Sequence, residues 1–199
     1  MKQDDVEIIS REMCYEGFFR IESYRLRHRL FSGSWSKPIV RELFERGHAV
    51  AVLPYDPLTD RVVLIEQFRI GALVAGLDPW LREIVAGVIE ADESTEEVAQ
   101  RETREESGCV VHDLIPVCQY LVSPGGTSEQ ITVFCGRVNA SEADGIHGVA
   151  EEDEDIRAAS YLFAEAMAMV ENGKINSASP IIALQWLALN KEYVTTRWR

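Results

Sequence analysis

One helix with well-marked ends constrains the fold of this chain more than any other feature. Ser94 is a good N-cap residue, and Glu97, three residues later, completes a capping box. Gly108 supplies the left-handed residue that commonly follows a helix C-terminus. The sequence therefore predicts a helix that runs from Ser94 to about Ser107.

Three glutamates share one face of this helix. Glu102, Glu105 and Glu106 are spaced i, i+3 and i+4, so their side chains project from a single turn. The residues alone allow two interpretations. The face is either a solvated acidic surface, partly relieved by an Arg101–Glu105 pair, or an oxygen site for a hard cation such as Mg²⁺.

The charge balance limits the partners of this chain. Its 199 residues include 20 Lys+Arg and 33 Asp+Glu, which gives a formal net charge of −13. Because nucleic acids and anionic membranes both attract basic surfaces, the sequence predicts no nucleic-acid partner and no membrane partner. A phosphorylated substrate remains compatible with this charge if divalent cations bridge it to the protein.

Targeting signals and cysteine usage indicate the compartment. No segment reaches the ~18 consecutive apolar residues of a membrane-spanning helix, and the N-terminus lacks the basic and apolar regions of a signal peptide. The four cysteines are scattered and include no CxxC pair, which disfavours a zinc site and is typical of reduced thiols. The sequence predicts a cytoplasmic protein.

The order of the predicted elements indicates an α+β fold with a mixed sheet. The first 45 residues alternate polar and apolar side chains and predict an antiparallel meander. Strands are then predicted from His48, from Arg61, over 80–89 with a break at Gly87, over 114–122 and over 130–138. The last third is predicted to be mostly helical, with helices over 163–172 and 180–193.

The last of these helices is predicted to begin at Pro180, a residue that favours the first helical position. Its predicted apolar face consists of Ile182, Trp186, Leu189 and Tyr193.

The capped helix is part of a longer motif. Gly87 is followed by five residues, Glu93, seven residues, and then the run from Arg101 to Cys109. This spacing resembles the Nudix box, Gly-x5-Glu-x7-Arg-Glu-U-x-Glu-Glu-x-Gly-U, where U is a bulky aliphatic residue. Every fixed position matches, and the departures are Thr103 and Cys109 at the two aliphatic positions. Those departures bear on local packing rather than on metal chemistry.

The resemblance implies a Nudix-type α/β/α sandwich with a mixed sheet, plus an N-terminal antiparallel β meander. It divides the chain into an N-terminal β-rich dimerisation region, residues 1–46, and a Nudix hydrolase domain, residues 47–199. Similarity to the bacterial ADP-ribose pyrophosphatases of that family extends over nearly the whole chain. The resemblance also implies a homodimer, in which the meander packs across the two-fold axis.

The resemblance assigns metal ligands and a general base. It implies two or three Mg²⁺ ions, with Mn²⁺ as a possible substitute, held by Ala86 through its carbonyl and by Glu102, Glu106 and Glu154. Glu152 would accept the proton of a metal-activated water that attacks one phosphorus of a diphosphate. The residues alone do not distinguish among the five acids of 151–155, nor do they show which phosphorus is attacked.

Ten residues are predicted by resemblance to bind the substrate. From the residues alone, the aromatic ones could belong to the core, the arginines could form surface ion pairs, and the Ser123–Glu129 segment could be a simple hairpin turn. The predicted set is Phe18, Phe19, Arg41, Glu42, Arg46, Arg69, Val88, Ser123, Gly125 and Glu129.

The predicted function is Mg²⁺-dependent hydrolysis of the diphosphate of ADP-ribose to AMP and ribose 5-phosphate. Two alternatives stay open: a Nudix hydrolase acting on another nucleoside diphosphate sugar, and a sensor that binds ADP-ribose without cleaving it. A Ca²⁺-binding structural domain is disfavoured, because the chain has no Asp-x-Asn/Asp-x-Asn/Asp-Gly loop.

Overall fold

A computed structural model describes residues 2–149 and 153–198 of the chain. Two compact units are present. The first comprises Met1–His48 with Tyr120–Ile131, and the second comprises Ala49–Gln119 with Thr132–Arg199.

The first unit is a three-stranded antiparallel sheet, as the alternating N-terminal sequence predicts. Its strands, in the spatial order β1-β2-β3, are β1 (Val6–Glu16), β2 (Arg20–His28) and β3 (Ile39–Glu45). The segment from Tyr120 joins this sheet because Phe44 on β3 donates its backbone N–H to the Gly126 carbonyl at 2.8 Å.

The second unit contains an eight-stranded sheet, and the fold is α+β with a mixed sheet as predicted. Six strands follow the order β10-β11-β5-β4-β9-β8, while β6 pairs with β5 and β7 pairs with β4. The strands are β4 (Ala49–Asp56), β5 (Arg61–Phe68), β6 (Trp80–Glu83), β7 (Val85–Val88), β8 (Asp113–Leu121), β9 (Gln130–Arg137), β10 (Gly145–His147) and β11 (Ile156–Leu162).

Helices cover both faces of this sheet. They are α1 (Ile70–Val74), α2 (Thr95–Ser107), α3 (Phe163–Glu171) and α4 (Ala178–Arg197). Because side chains alternate along a strand, Val52 of β4 packs beneath Val98 of α2, while Tyr55 faces Trp198 at the end of α4. None of the helices in the described ranges is long and apolar enough to span a bilayer.

The predicted ends of α2 are confirmed. The hydroxyl of Ser94 accepts a hydrogen bond from the N–H of Glu97, whose carboxylate accepts one in return from the N–H of Ser94. Gly108 has φ +71°, the left-handed conformation expected after the last helical turn.

The helices predicted over 163–172 and 180–193 are present as α3 and α4. Two other predictions about secondary structure are wrong, and one helix was not predicted. The strand over 80–89 is interrupted at Ile84 rather than at Gly87, because β6 pairs with β5 and the chain then changes partner, so that β7 pairs with β4. The mostly helical last third contains β10 and β11, which extend the sheet beyond β5. The short helix α1 has no counterpart in the prediction.

The apolar face predicted for α4 is also wrong. Leu189 is 86% exposed and Tyr193 is 53% exposed. Pro180 is the third helical residue, not the first, since α4 begins at Ala178. Apolar residues occur on several sides of this helix, so packing against the sheet rather than the sequence pattern selects the buried side. The buried residues are Pro180, Ala183, Leu184, Leu187 and Val194.

Candidate active site

Glu106 is the buried carboxylate of α2. Its side chain is only 2% exposed, and its Oε2 accepts a hydrogen bond of 2.9 Å from the backbone N–H of Ala86. Burial is the main cause that raises the pKa of Glu106 to about 8, with contributions from the charges of Glu102 and Glu154; the Ala86 N–H opposes the rise. The side chain therefore lacks a positive partner sufficient to hold its charge at neutral pH.

Gly87 allows the backbone of β7 to approach Glu102 closely. A Cβ atom added to Gly87 would lie 1.7 Å from Oε1 of Glu102, so any other residue would displace this carboxylate. Burial raises the pKa of Glu102, while the neighbouring Arg101 lowers it. The glycine thereby lets α2 place Glu102 directly against the strand.

Arg101 holds three glutamates in place. Its Nε and Nη2 donate to Glu93 at 2.9 and 3.0 Å, and its Nη1 donates to Glu102 at 2.8 Å and to Glu105 at 3.1 Å. The paired hydrogen bonds to Glu93 have the bidentate geometry that guanidinium groups favour, and they are the main reason that the pKa of Glu93 is lowered. Arg101 thus fixes the orientation of the Glu102 carboxylate.

Glu154 approaches the same carboxylates from the segment that leads into β11. Its Oε2 accepts a hydrogen bond of 3.1 Å from the backbone N–H of Val149, and its charge contributes to the raised pKa of both Glu102 and Glu106. Ala86 joins this group through its bond to Glu106. The structure thus places Glu154 within electrostatic range of Glu102 and Glu106, and Ala86 beside Glu106. Glu152, the predicted general base, lies outside the described residues.

The chemistry of this group fits a hard divalent cation. The charge of Glu154 raises the pKa of Glu102 and of Glu106, and a cation among these carboxylates would offset their repulsion. In this structure Glu102 is turned towards Arg101 instead. Within residues 2–149 and 153–198, no three His, Cys, Asp or Glu side chains already surround a single ion position.

Two of the predicted substrate-binding residues belong to the second unit. Arg69 precedes α1 and pairs through its Nε with Glu83 at 2.7 Å. Its positive charge also lowers the pKa of Glu106, so it acts on the carboxylate group electrostatically. Val88 ends β7, one residue after Gly87, and is 49% exposed.

The first unit holds a compact aromatic cluster, formed by Phe18, Phe19, Phe44 and Arg46. The rings of Phe18 and Phe44 contact Phe19 edge-on, with centroid distances of 4.7 and 5.0 Å. The guanidinium of Arg46 lies over the Phe19 ring at 5.4 Å and pairs with Glu129 at 3.3 Å. Phe18 is 94% exposed, so the cluster presents an open ring to which a planar ligand could stack.

The other four predicted substrate-binding residues lie on the surface of the first unit. The carbonyl of Ser123 accepts hydrogen bonds of 3.0 Å from the N–H groups of Gly126 and Thr127, which closes a turn around Gly125. Arg41 donates to the carbonyl of its neighbour Val40 at 2.7 Å. These hydrogen bonds join residues that are near neighbours in the sequence. The four exposed residues are Arg41, Glu42, Ser123 and Gly125.

A comparison with protein families gives a match over most of this chain. The NUDIX domain matches residues 45–184, well over half of the chain. The chain belongs to the Nudix family.

Relatives of this Nudix protein align over almost its whole length. An ADP-ribose pyrophosphatase of Escherichia coli (strain K12) is 52% identical over 196 residues, covering 98% of this chain and 94% of the relative. One from Haemophilus influenzae is 42% identical over 200 residues, covering 99% and 92%. A GDP-mannose pyrophosphatase of Yersinia enterocolitica is 31% identical over 186 residues, covering 93% and 96%.

A solved structure shares the Nudix fold. The crystal structure of an ADP compounds hydrolase matches with a TM-score of 0.73 over 97% of this chain and 96% of that chain. Because the two sequences are only 22% identical, this likeness bears on the fold alone.

Three residues that contact predicted site residues or their neighbours were not themselves predicted from the sequence of this Nudix chain. Phe44 packs on Phe19, Glu45 accepts a hydrogen bond of 2.7 Å from the Ser128 hydroxyl, and Glu83 pairs with Arg69. Phe44 lies between the predicted residues Arg41 and Arg46, so its aromatic side chain was a usable signal. The partners of Ser128 and Arg69 depend on tertiary contacts, for which the sequence carries no local signal.

Proposed function

We propose that this protein hydrolyses the diphosphate of ADP-ribose to AMP and ribose 5-phosphate with the help of divalent cations. The observation that carries the proposal is the placement of the Glu102 and Glu106 carboxylates beside β7, with Glu154 near enough for its charge to raise the pKa of both. Full-length relatives at 52% and 42% identity named ADP-ribose pyrophosphatases support the choice of substrate.

The cations would be held by the Ala86 carbonyl and by the carboxylates of Glu102, Glu106 and Glu154. We propose Mg²⁺, in two or three ions, with Mn²⁺ as a substitute, because carboxylate and carbonyl oxygens suit hard cations. When bound, such ions neutralise the diphosphate and make a water molecule more acidic.

The protein's own residues would do the remaining work. Arg101 keeps the Glu102 carboxylate oriented, and the Ala86 N–H holds Glu106 in place. Glu152 would accept the proton of the attacking water, a role that rests on resemblance to the family. Arg69, whose charge acts on Glu106, would bind a phosphate oxygen.

Recognition of the nucleotide would fall to the first unit. The exposed Phe18 and the ring of Phe19 beneath Arg46 suit an adenine base, which stacks on aromatic rings and guanidinium planes. Exposed backbone and side-chain groups would bind ribose or phosphate. Those groups belong to Arg41, Glu42, Ser123 and Gly125. The buried Glu129, which pairs with Arg46, and Val88 of the second unit complete the proposed set.

One rival substrate class has support of its own. The GDP-mannose pyrophosphatases among the relatives are 31% identical, so another nucleoside diphosphate sugar is the second candidate. The deciding experiment incubates the purified protein with Mg²⁺ and ADP-ribose, GDP-mannose or UDP-glucose, and measures nucleoside monophosphate release. We expect kcat/KM to be highest for ADP-ribose. A preference for GDP-mannose would contradict the proposal, and binding of ADP-ribose without hydrolysis would identify a sensor.

The proposed general base Glu152 and the proposed cation ligand Glu154 can be distinguished by their kinetics. A general base acts in the transition state, so Glu152→Gln should lower kcat by ~10²–10⁴-fold with little change in the Mg²⁺ requirement. Glu154→Gln should instead raise the Mg²⁺ concentration that gives half the maximal rate. Identical kinetic profiles for the two variants would contradict this division of roles.

We further propose a cytoplasmic homodimer. The first unit exposes apolar side chains on its sheet, including Ile8, Met13 and Val40, and a three-stranded sheet has little core of its own. Sedimentation at micromolar concentration should give the mass of two chains. A fully active monomer would contradict the homodimer.

A further inference from the structure

We infer that His147 is a positioning residue that holds the Glu154 carboxylate against α2; the inference rests on the function proposed above. His147 is the last residue of β10 and is not among the residues assigned to cations or substrate.

The His147 ring packs against the residue that ends α2. A Cβ atom added to Gly108 would lie 2.7 Å from Cε1 of His147, a distance that real Cβ contacts do not show. Gly108 must also be in the left-handed conformation, with φ +71°. Glycine at this position therefore both ends the helix and leaves the space that the imidazole ring fills.

At Nε2 the ring is held by packing rather than by a hydrogen bond. Its Nε2 atom is buried and has no hydrogen-bond partner in the described part of the chain. A buried polar atom without a partner is unfavourable, so the contact surface of the ring must compensate for it.

The chain that follows His147 is bonded to α2 and then to Glu154. The N–H of Gly148 donates to the Glu105 carbonyl at 3.1 Å, one of the carbonyls near the helix C-terminus that the helix itself leaves unpaired. The N–H of Val149 donates to the carboxylate of Glu154 at 3.1 Å, and the N–H of Glu154 returns a bond of 3.3 Å to the Val149 carbonyl.

These contacts form a continuous chain of support. His147 fixes the end of β10 against Gly108, Gly148 and Val149 follow directly, and Val149 orients Glu154. His147 also pairs with Ile156, so the start of β11 is held beside the same ring. Loss of the ring would loosen the Glu154 carboxylate without removing it.

The test uses His147→Ala and, as a matched control, Ile146→Ala, since Ile146 precedes His147 on β10 and is 68% exposed. The first measurement is amide hydrogen exchange of Gly148 and Val149 in the full-length, metal-free chain. We expect exchange to be at least ~10-fold faster in His147→Ala and unchanged in Ile146→Ala. The amides of Val98 and Ala99 within α2 should stay protected in both, which shows that the effect is local.

The second measurement is the Mg²⁺ dependence of ADP-ribose hydrolysis. Residues that orient a metal ligand typically change metal affinity 10–100-fold, so His147→Ala should raise the half-saturating Mg²⁺ concentration by about 10-fold. The kcat at saturating Mg²⁺ should stay within about threefold of wild type. A loss confined to kcat would overturn the inference, and so would unchanged amide exchange.

A third variant tests the same contact from the side of α2, first in a chain that keeps His147. Gly108→Ala introduces the colliding methyl group, so it should speed exchange at Val149 in the wild-type background. It should have a smaller additional effect in the His147→Ala background, where the collision is absent. Equal effects in both backgrounds would overturn the inference. If the wild type does not cleave ADP-ribose, the proposed function fails, while amide exchange still decides the role of His147.

Discussion

Two buried glutamates in this chain have opposite electrostatic surroundings. Glu22 of β2 is 1% exposed and Glu106 of α2 is 2% exposed, so burial alone does not distinguish them. The pKa of Glu22 is lowered to about 2, whereas that of Glu106 is raised to about 8. Burial is the main cause of the shift at Glu106, whereas hydrogen bonds from Arg11 and Tyr24 outweigh burial at Glu22.

Glu22 has strong donors within its own sheet. The Arg11 guanidinium donates to both of its oxygens, at 2.7 and 2.5 Å, and the Tyr24 hydroxyl donates at 2.7 Å. Glu106 receives one backbone N–H and faces two further carboxylates. A carboxylate that accepts hydrogen bonds on both oxygens, such as Glu22, stabilises its own sheet. Glu106 lacks such donors, so a cation from solution would be needed to offset the repulsion from the neighbouring carboxylates.

The largest effect on catalytic activity is expected from Glu106→Gln. The amide is isosteric and uncharged, so it keeps the packing of α2 but removes a cation ligand. We expect a loss of activity of at least about 100-fold at saturating Mg²⁺. The metal-free melting temperature at pH 7 should be close to that of wild type, since the amide replaces a carboxyl group that keeps its proton up to about pH 8. Turnover close to that of wild type would show that Glu106 resembles Glu22 in function.

A smaller loss of catalytic activity is expected from Arg101→Ala. Without the guanidinium, Glu93, Glu102 and Glu105 lose the group that orients them, and we expect activity to fall by about 10–100-fold. Arg104→Ala is the matched control, because Arg104 is an exposed arginine on the same helix. Similar losses in both variants would argue for a general charge effect rather than for orientation.

The pH dependence should differ in sign between the two glutamates. Folded Glu106 keeps its proton up to about pH 8, whereas the unfolded chain loses it near 4.5, so metal-free stability should fall as pH rises between these values. Glu22 stabilises the fold above about pH 4.5, and this contribution should be lost as pH falls through about 2.

The same proton competes with Mg²⁺ at Glu106. Affinity for Mg²⁺ should therefore rise by up to about tenfold per pH unit below pH 8 and level off above it. Titration calorimetry between pH 6 and 9 measures this, and Glu106→Gln should flatten the profile. A flat profile in the wild type would mean that Glu106 is ionised without a cation.

The smallest effect on catalysis is expected from Glu22→Gln. The variant removes a carboxylate that is fully satisfied by Arg11 and Tyr24, so the melting temperature should fall by roughly 5 °C while kcat stays within about twofold of wild type. Glu7→Gln is the control: Glu7 pairs with Arg27 on the same sheet, but both side chains are substantially exposed. It should shift the melting temperature by no more than about 1 °C. Equal shifts would remove the distinction between a buried and an exposed pair.

The sequence by itself determined the parts of the protein that depend on near neighbours. Ser94, Glu97 and Gly108 set the ends of α2 because caps are formed by residues within one turn of the helix terminus. The i, i+3, i+4 spacing likewise set the side of α2 from which the glutamates project. The motif around them was enough to predict the family, and the family comparison confirmed it.

Only the tertiary structure decided which of those glutamates is buried and which strand pairs with which. Glu106 is buried beside Ala86 while Glu105 remains half-buried beside Arg101, although both belong to the same acidic turn. The break between β6 and β7 and the buried side of α4 were likewise mispredicted. Burial and pairing depend on segments distant in sequence, and burial together with its partners moved the pKa of one glutamate up and of another down.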